Sequence, residues 1–115
     1  MRGGAVLNEL AKRIYEFNVA KGWHSEAPDV SKYMMNLHAE ISELWEAWRE
    51  NKMNKPCDKV SKMDEPLTCL EEELADIQIR TLDTAHAFGV DMDRAVRVKM
   101  AYNATRPHRH GGKLA

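Results

Sequence analysis

One pattern occurs twice in the chain and constrains it more than anything else. Leu37-His-Ala-Glu-Ile-Ser-Glu-Leu44 lies position for position on Leu70-Glu-Glu-Glu-Leu-Ala-Asp-Ile77. Leu37 falls on Leu70, Glu40 on Glu73, Ile41 on Leu74, Glu43 on Asp76 and Leu44 on Ile77. Each copy alternates apolar and acidic positions, and each acid pair is spaced i, i+3. A helix turns about 100° per residue, so the leucines and isoleucines form one stripe while the acids lie about 60° and 120° to its side. Packing the two helices stripe to stripe turns four carboxylates toward one point, where they repel one another unless a cation lies between them. Oxygen donors of this kind suit Mg2+, with Mn2+ an alternative. One such pair alone is an ordinary solvated helix edge; two in the same register make a candidate site.

The rest of the chain reads as helices too. Val6, Leu10, Ile14 and Phe17 recur at helical spacing over residues 5–20, and Gly22 stops that run. Pro28 keeps Trp23–Ala27 in a loop. Asp29 or Ser31 caps a second helix running to about Asn51 along Met34, Leu37, Ile41, Leu44 and Trp48. Positions 52–65 lose all periodicity and carry Pro56, which predicts a mobile linker. Pro66 is placed to open a third helix, whose Leu70, Leu74, Ile77, Thr81, Ala85 and Phe88 face one way until Gly89. Asp91 caps a fourth, with Met92, Val96 and Met100 as its buried row, and Pro107 ends it. Residues 107–115 show no apolar period and read as an extended arm.

No segment alternates with period two, so the expected class is all-α: one domain over residues 1–115, built as a four-helix bundle. The width of the second helix's apolar stripe, with three tryptophans in the chain, predicts a homo-oligomer, dimer or tetramer. A formal net charge of −1 argues against binding a nucleic-acid polymer. The charges are nevertheless segregated. The middle holds the paired acids with Glu46, Glu50, Glu71 and Glu72, whereas six Lys and Arg face only Asp91 and Asp93 beyond Gly89. Cys57 and Cys69 have no zinc-site spacing and form no disulfide framework. With no signal-peptide order and no membrane-length apolar run, a cytoplasmic setting is expected.

Further chemistry-bearing residues follow from spacing. Lys99, Asn103 and Arg106 fall at i, i+4 and i+7 on the fourth helix, a rail for phosphates and a sugar, although cations near a helix C-terminus are favoured in any case. Trp23, a large ring in a polar loop, is a candidate for stacking on a base. His38 lies beside the acid-bearing edge and is a candidate ligand-bonding residue.

These segments resemble the MazG-like, all-α nucleoside triphosphate pyrophosphohydrolases. The metal motif is matched by Glu40-x-x-Glu43 with Glu73-x-x-Asp76. Two stretches are similar to a bacterial and phage branch: Glu73-Leu-Ala-Asp-Ile-Gln-Ile-Arg80 leading into Phe88-Gly-Val-Asp-Met92, and Lys99-Met-Ala-Tyr-Asn-Ala-Thr-Arg-Pro107. Lys21-Gly-Trp23 and His110-Gly-Gly-Lys113 extend the likeness over nearly the whole chain apart from 52–65, a gap at the long end for the family.

The resemblance implies hydrolysis of a nucleoside triphosphate, deoxy or non-canonical, to monophosphate and pyrophosphate. Glu40, Glu43, Glu73 and Asp76 would hold magnesium, and Lys99, Asn103 and Arg106 would contact phosphates or sugar. The metal would neutralise and align the triphosphate and acidify the attacking water, and Glu43 would accept its proton. Two other readings compete. A dinuclear iron bundle would recruit Glu-x-x-His, and no histidine follows a glutamate at that spacing. A metal-free interaction module would leave the acids solvated and dock through the basic tail.

Overall fold

The structure is a computed structural model that describes residues 5–57 and 64–115. Its elements are α1 (Val6–Ala20), α2 (Val30–Arg49), α3 (Cys69–Ala87), α4 (Met92–Ala104) and a single turn, α5 (Arg109–Gly112). The described residues contain no β-strand, only an isolated bridge between Pro56 and Thr68. The all-α expectation therefore holds. No helix among them is long and apolar enough to cross a membrane.

Local chemistry sets the helix ends. Asp29 caps α2 through Ser31 N and Lys32 N, and Asp91 caps α4 through Arg94 N. Thr68 and Glu71 form a reciprocal capping box at the start of α3. The third helix is thus opened by Thr68, not by Pro66, which lies outside it. At the far ends of α1 and α3 the chain reverses through Gly22 at φ +93° and Gly89 at φ +68°. There Trp23 N donates to Asn18 O and Val90 N to Ala85 O, satisfying carbonyls the helices leave open. The start of α1 is capped from a distance: Leu7 N and Asn8 N donate to the two Asp93 carboxylate oxygens at 3.0 and 2.9 Å.

The helices pack as an open stack more than as a closed bundle. Among the described residues, α3 lies between α1 and α2, while α4 packs on α1. Helices α2 and α3 run antiparallel: Tyr33 meets Phe88 at one end, and Leu70 N donates to Met53 O at the other. The expected linker is partly ordered, since Cys57 N donates to Leu67 O and Cys69 N to Lys55 O, which ties residues 53–57 to the start of α3. Its remainder, positions 58–63, lies outside the described residues. The expected arm is also not simply extended. Arg109, His110, Gly111 and Gly112 all have positive φ and form an exposed left-handed turn.

The buried faces differ from the expected stripes. On α1 the inward residues are Leu7, Ala11, Ile14 and Tyr15, while Val6, Leu10 and Phe17 are exposed. On α2 Tyr33, Leu37, Glu40, Leu44 and Ala47 turn inward, while Met34, Ile41, Trp45 and Trp48 are exposed. On α3 Leu82 and Ala85 are buried and Leu74 is half exposed; on α4 Val96 and Met100 are exposed. The reason is common to all four. Each helix is apolar over more of its circumference than its neighbours cover, so the mean apolar direction is not the packing direction.

Candidate functional site: an acidic cluster at the head of a cavity

Because α2 and α3 are antiparallel and each turns its acid-bearing side toward the other, the two acid pairs meet. One carboxylate oxygen from each of Glu40, Glu43, Glu73 and Asp76 lies within 4.8 Å of the other three. Glu73 is buried, Glu40 and Asp76 are partly buried, and Glu43 is exposed. Arg80, one turn beyond Asp76, donates from Nε to Glu40 Oε1 at 3.2 Å. The other Glu40 oxygen, Oε2, is buried with no hydrogen-bond partner among the described residues.

A buried carboxylate oxygen left without a donor is costly, and four clustered carboxylates repel one another. A hard divalent cation relieves both. In an octahedral magnesium shell, opposite oxygens are about 4.2 Å apart and adjacent ones about 3 Å. The all-oxygen donor set suits such an ion; oxygens separated by up to 4.8 Å would have to draw in by a few tenths of an ångström to share its shell.

Three of the four acids, Glu40, Glu43 and Asp76, line one end of a cavity of about 800 Å³, while Glu73 lies outside its lining; the volume is within the range of small-molecule sites. Its walls are the facing sides of α2 and α3 and the loop from Gly22 to Asp29. Along α3 the cavity follows Asp76, Arg80 and Asp83, at i, i+4 and i+7. Asp83 therefore lies about 10 Å along the helix axis from Asp76.

At the Asp83 end the polar groups are linked. His24 Nε2 lies 3.0 and 2.8 Å from the two Asp83 oxygens, and Tyr33 Oη lies 2.6 Å from His24 Nδ1. A carboxylate only accepts, so in the neutral ring Nε2–H donates to Asp83 and Nδ1 accepts from the Tyr33 hydroxyl. Burial, and next the charge of Asp83, raise the Tyr33 pKa, which keeps the phenol protonated and able to donate. The imidazole also lies nearly parallel to the rings of Tyr15 and Tyr33, with centroids 4.9 and 5.3 Å away.

The structure thus brings together all four acids expected from the repeat, and puts Trp23, 67% exposed as a residue, on the cavity wall. His38 does not line the cavity: it sits on the exposed side of α2. Lys99 and Asn103 lie on α4, whereas Arg106 falls just beyond its end at Ala104, and none of the three lines the cavity. Lys99 Nζ and the Arg106 guanidinium instead bracket the Tyr102 ring at 4.7 and 5.7 Å. Within one chain they do not face the acids.

Four cavity groups carry no role in the sequence reading: His24, Tyr33, Arg80 and Asp83. The signal for Arg80 and Asp83 is their common helical face with Asp76. For His24 there is none, since its partners are remote in sequence.

No family model, curated protein or solved structure matches the chain.

Proposed function

We propose that the protein is a cytoplasmic, magnesium-dependent nucleoside triphosphate pyrophosphohydrolase of the MazG-like kind, with manganese as an alternative ion. The observation that carries the reading is the meeting of Glu40, Glu43, Glu73 and Asp76, of which Glu40, Glu43 and Asp76 line a cavity large enough for a nucleotide. The buried, unpartnered Oε2 of Glu40 adds to it.

On this reading the four carboxylates hold the ion, which supplies charge neutralisation, alignment and Lewis acidity to the triphosphate. Arg80, already at the edge of the cluster, is positioned to pair with a phosphate oxygen once its bond to Glu40 is exchanged. Glu43, the most exposed of the four, accepts a proton from the attacking water. The water oxygen bonds to phosphorus as the α–β anhydride bond breaks, giving nucleoside monophosphate and pyrophosphate.

Self-association belongs to the same proposal. The surface area is 9070 Å², whereas a compact 13.2 kDa monomer should expose roughly 6400 Å². The radius of gyration is 16.8 Å, against about 13 Å for a compact domain of this length. The excess area is of the order that stable homodimers bury, and the exposed apolar faces of α1, α2 and α4 are where a second copy would sit. Such a copy is also the means by which Lys99, Asn103 and Arg106 would reach a cavity.

The test is to incubate the protein with magnesium and a panel of nucleoside and deoxynucleoside triphosphates. Monophosphate and pyrophosphate in equal amounts are expected, and Glu43→Gln should abolish them. Release of single inorganic phosphate would refute the reaction class. Inactivity across the panel, with no magnesium-induced thermal shift, would leave a non-enzymatic interaction module.

A further inference from the structure

The loop between α1 and α2 walls the cavity, yet has no helix or strand from Trp23 to Asp29. Gly22 N and Trp23 N complete the end of α1, and the Asp29 side chain bonds forward into α2. Between those ends, among the described residues, the polar side-chain link from the loop to another element runs through His24, to Asp83 on α3 and Tyr33 on α2. His24 accepts an unusual backbone to do so, with φ +64° in the left-handed region. Its ring is further held by near-parallel contacts with the rings of Tyr15 and Tyr33. Trp23, next in sequence, is left with its ring at the cavity wall.

We infer that His24 is a positioning residue: the Asp83–His24–Tyr33 chain fixes the Trp23 loop as the nucleoside-facing wall of the cavity and so sets affinity for the nucleoside part of the substrate. The inference rests on the pyrophosphohydrolase reading, because it takes the acid cluster as the phosphate end. Asp83 lies about two helical turns from Asp76, which is where the nucleoside falls when the α–β anhydride is at the acids. The acids themselves are carried by α2 and α3, not by the loop. Releasing the loop therefore weakens nucleoside binding and leaves the hydrolytic groups in position.

The experiment is steady-state kinetics of the full chain with magnesium, comparing wild type, His24→Asn, Asp83→Asn and Tyr33→Phe. Asparagine tolerates the left-handed backbone at position 24, so the first variant removes the ring contacts without adding strain. His24→Asn should raise KM for the nucleoside triphosphate about tenfold or more, and Asp83→Asn, which keeps an amide oxygen able to accept from Nε2–H, about threefold, each with kcat within about threefold of wild type. Because both act on the same link, the double variant should be little worse than His24→Asn alone. Tyr33→Phe, which loses one hydroxyl, should move KM in the same direction by about threefold. Inhibition by inorganic pyrophosphate, a ligand with no nucleoside, should be unchanged in all of them.

Unchanged KM in the variants of an active wild type overturns the inference and leaves the reaction class standing. Equal losses in kcat and in pyrophosphate inhibition also overturn it, since they mark a general structural role. Should His24→Asn and Asp83→Asn fail to fold, the KM of Tyr33→Phe decides. A wild type that hydrolyses no nucleotide ends the pyrophosphohydrolase reading, and this inference with it.

Discussion

Replacing Glu73 by glutamine should stabilise the protein when metal is absent and abolish its response to magnesium. Glu73 is buried, at 7% exposure, and its ligand oxygen lies within 4.8 Å of those of Glu40, Glu43 and Asp76. Two like charges at that distance repel by about 3.5 kcal/mol at an effective dielectric of 20, and by about 0.9 kcal/mol in water. Arg80 neutralises one of the neighbours through Glu40, and the exposed Glu43 is screened by solvent, so the relief corresponds to about one neighbouring charge. The variant should therefore gain about 1 to 3 kcal/mol, and for a chain of this size the Tm in EDTA should rise by at least about 4 °C. Wild type should instead gain about 2.7 kcal/mol when magnesium is added at 100 times its Kd, a gain the variant lacks. Differential scanning calorimetry of both proteins, with EDTA and with magnesium, measures the two shifts. A fall in Tm for Glu73→Gln in EDTA would show that the carboxylate is held by favourable bonds rather than strained by its neighbours. An equal magnesium shift in both proteins would remove Glu73 from the metal set.

Two other predictions concern the helix ends. Asp93→Ala removes the acceptor for Leu7 N and Asn8 N and should cost about 1 to 2 kcal/mol, read as a loss of roughly 4–8 °C in Tm. The Asp91 pKa is lowered from its ordinary 3.8, first by the hydrogen bond from Asn8 and next by Arg94 N. Its contribution is therefore complete above the unfolded value and is lost as pH falls through the folded one. The Tm deficit of Asp91→Ala should be constant from neutral pH down to about pH 4 and should shrink below that; a deficit independent of pH would refute the assignment.

The sequence made the helix ends legible because they are local. Asp29, Asp91, Gly22 and Gly89 each act on a backbone group within five positions, so residue type suffices. It did not reveal which face of each helix is covered. Helix α2 carries Leu37 and Leu44 on its inward side and Met34, Ile41 and Trp48 on another, and a single average over both faces points between them. Helix α3 was harder still: two partners cover it, so Glu72, Glu73 and Asp83 are buried where polarity alone predicts solvent. The acid pairs were legible because their repeat encodes their own meeting. Neither the capping of α1 by Asp93 nor the His24–Asp83 link was legible, because both depend on packing between residues remote in sequence.

Buried acids on α3 and exposed apolar faces on its neighbours leave a small core: Ala11, Cys57, Leu82 and Ala85 are its buried hydrophobic residues among those described. On the proposed function, such a chain would gain stability from a cation between the acids and a second copy over the apolar faces more than from its own packing. Helix α2 serves both, with Glu40 turned to the cavity and Trp48 turned outward. Fixing either face of that helix reduces the freedom the other ligand must remove, so the two bindings should be positively coupled and, by linkage, reciprocal. Sedimentation equilibrium should therefore show a tighter association constant in magnesium than in EDTA, and magnesium titrations should show weaker binding as the protein is diluted. Trp48→Glu should weaken self-association and magnesium affinity together, although residue 48 lies outside the acid cluster. Equal association constants with and without magnesium would mean that α2 is rigid before either ligand arrives, and the proposed coupling would be absent.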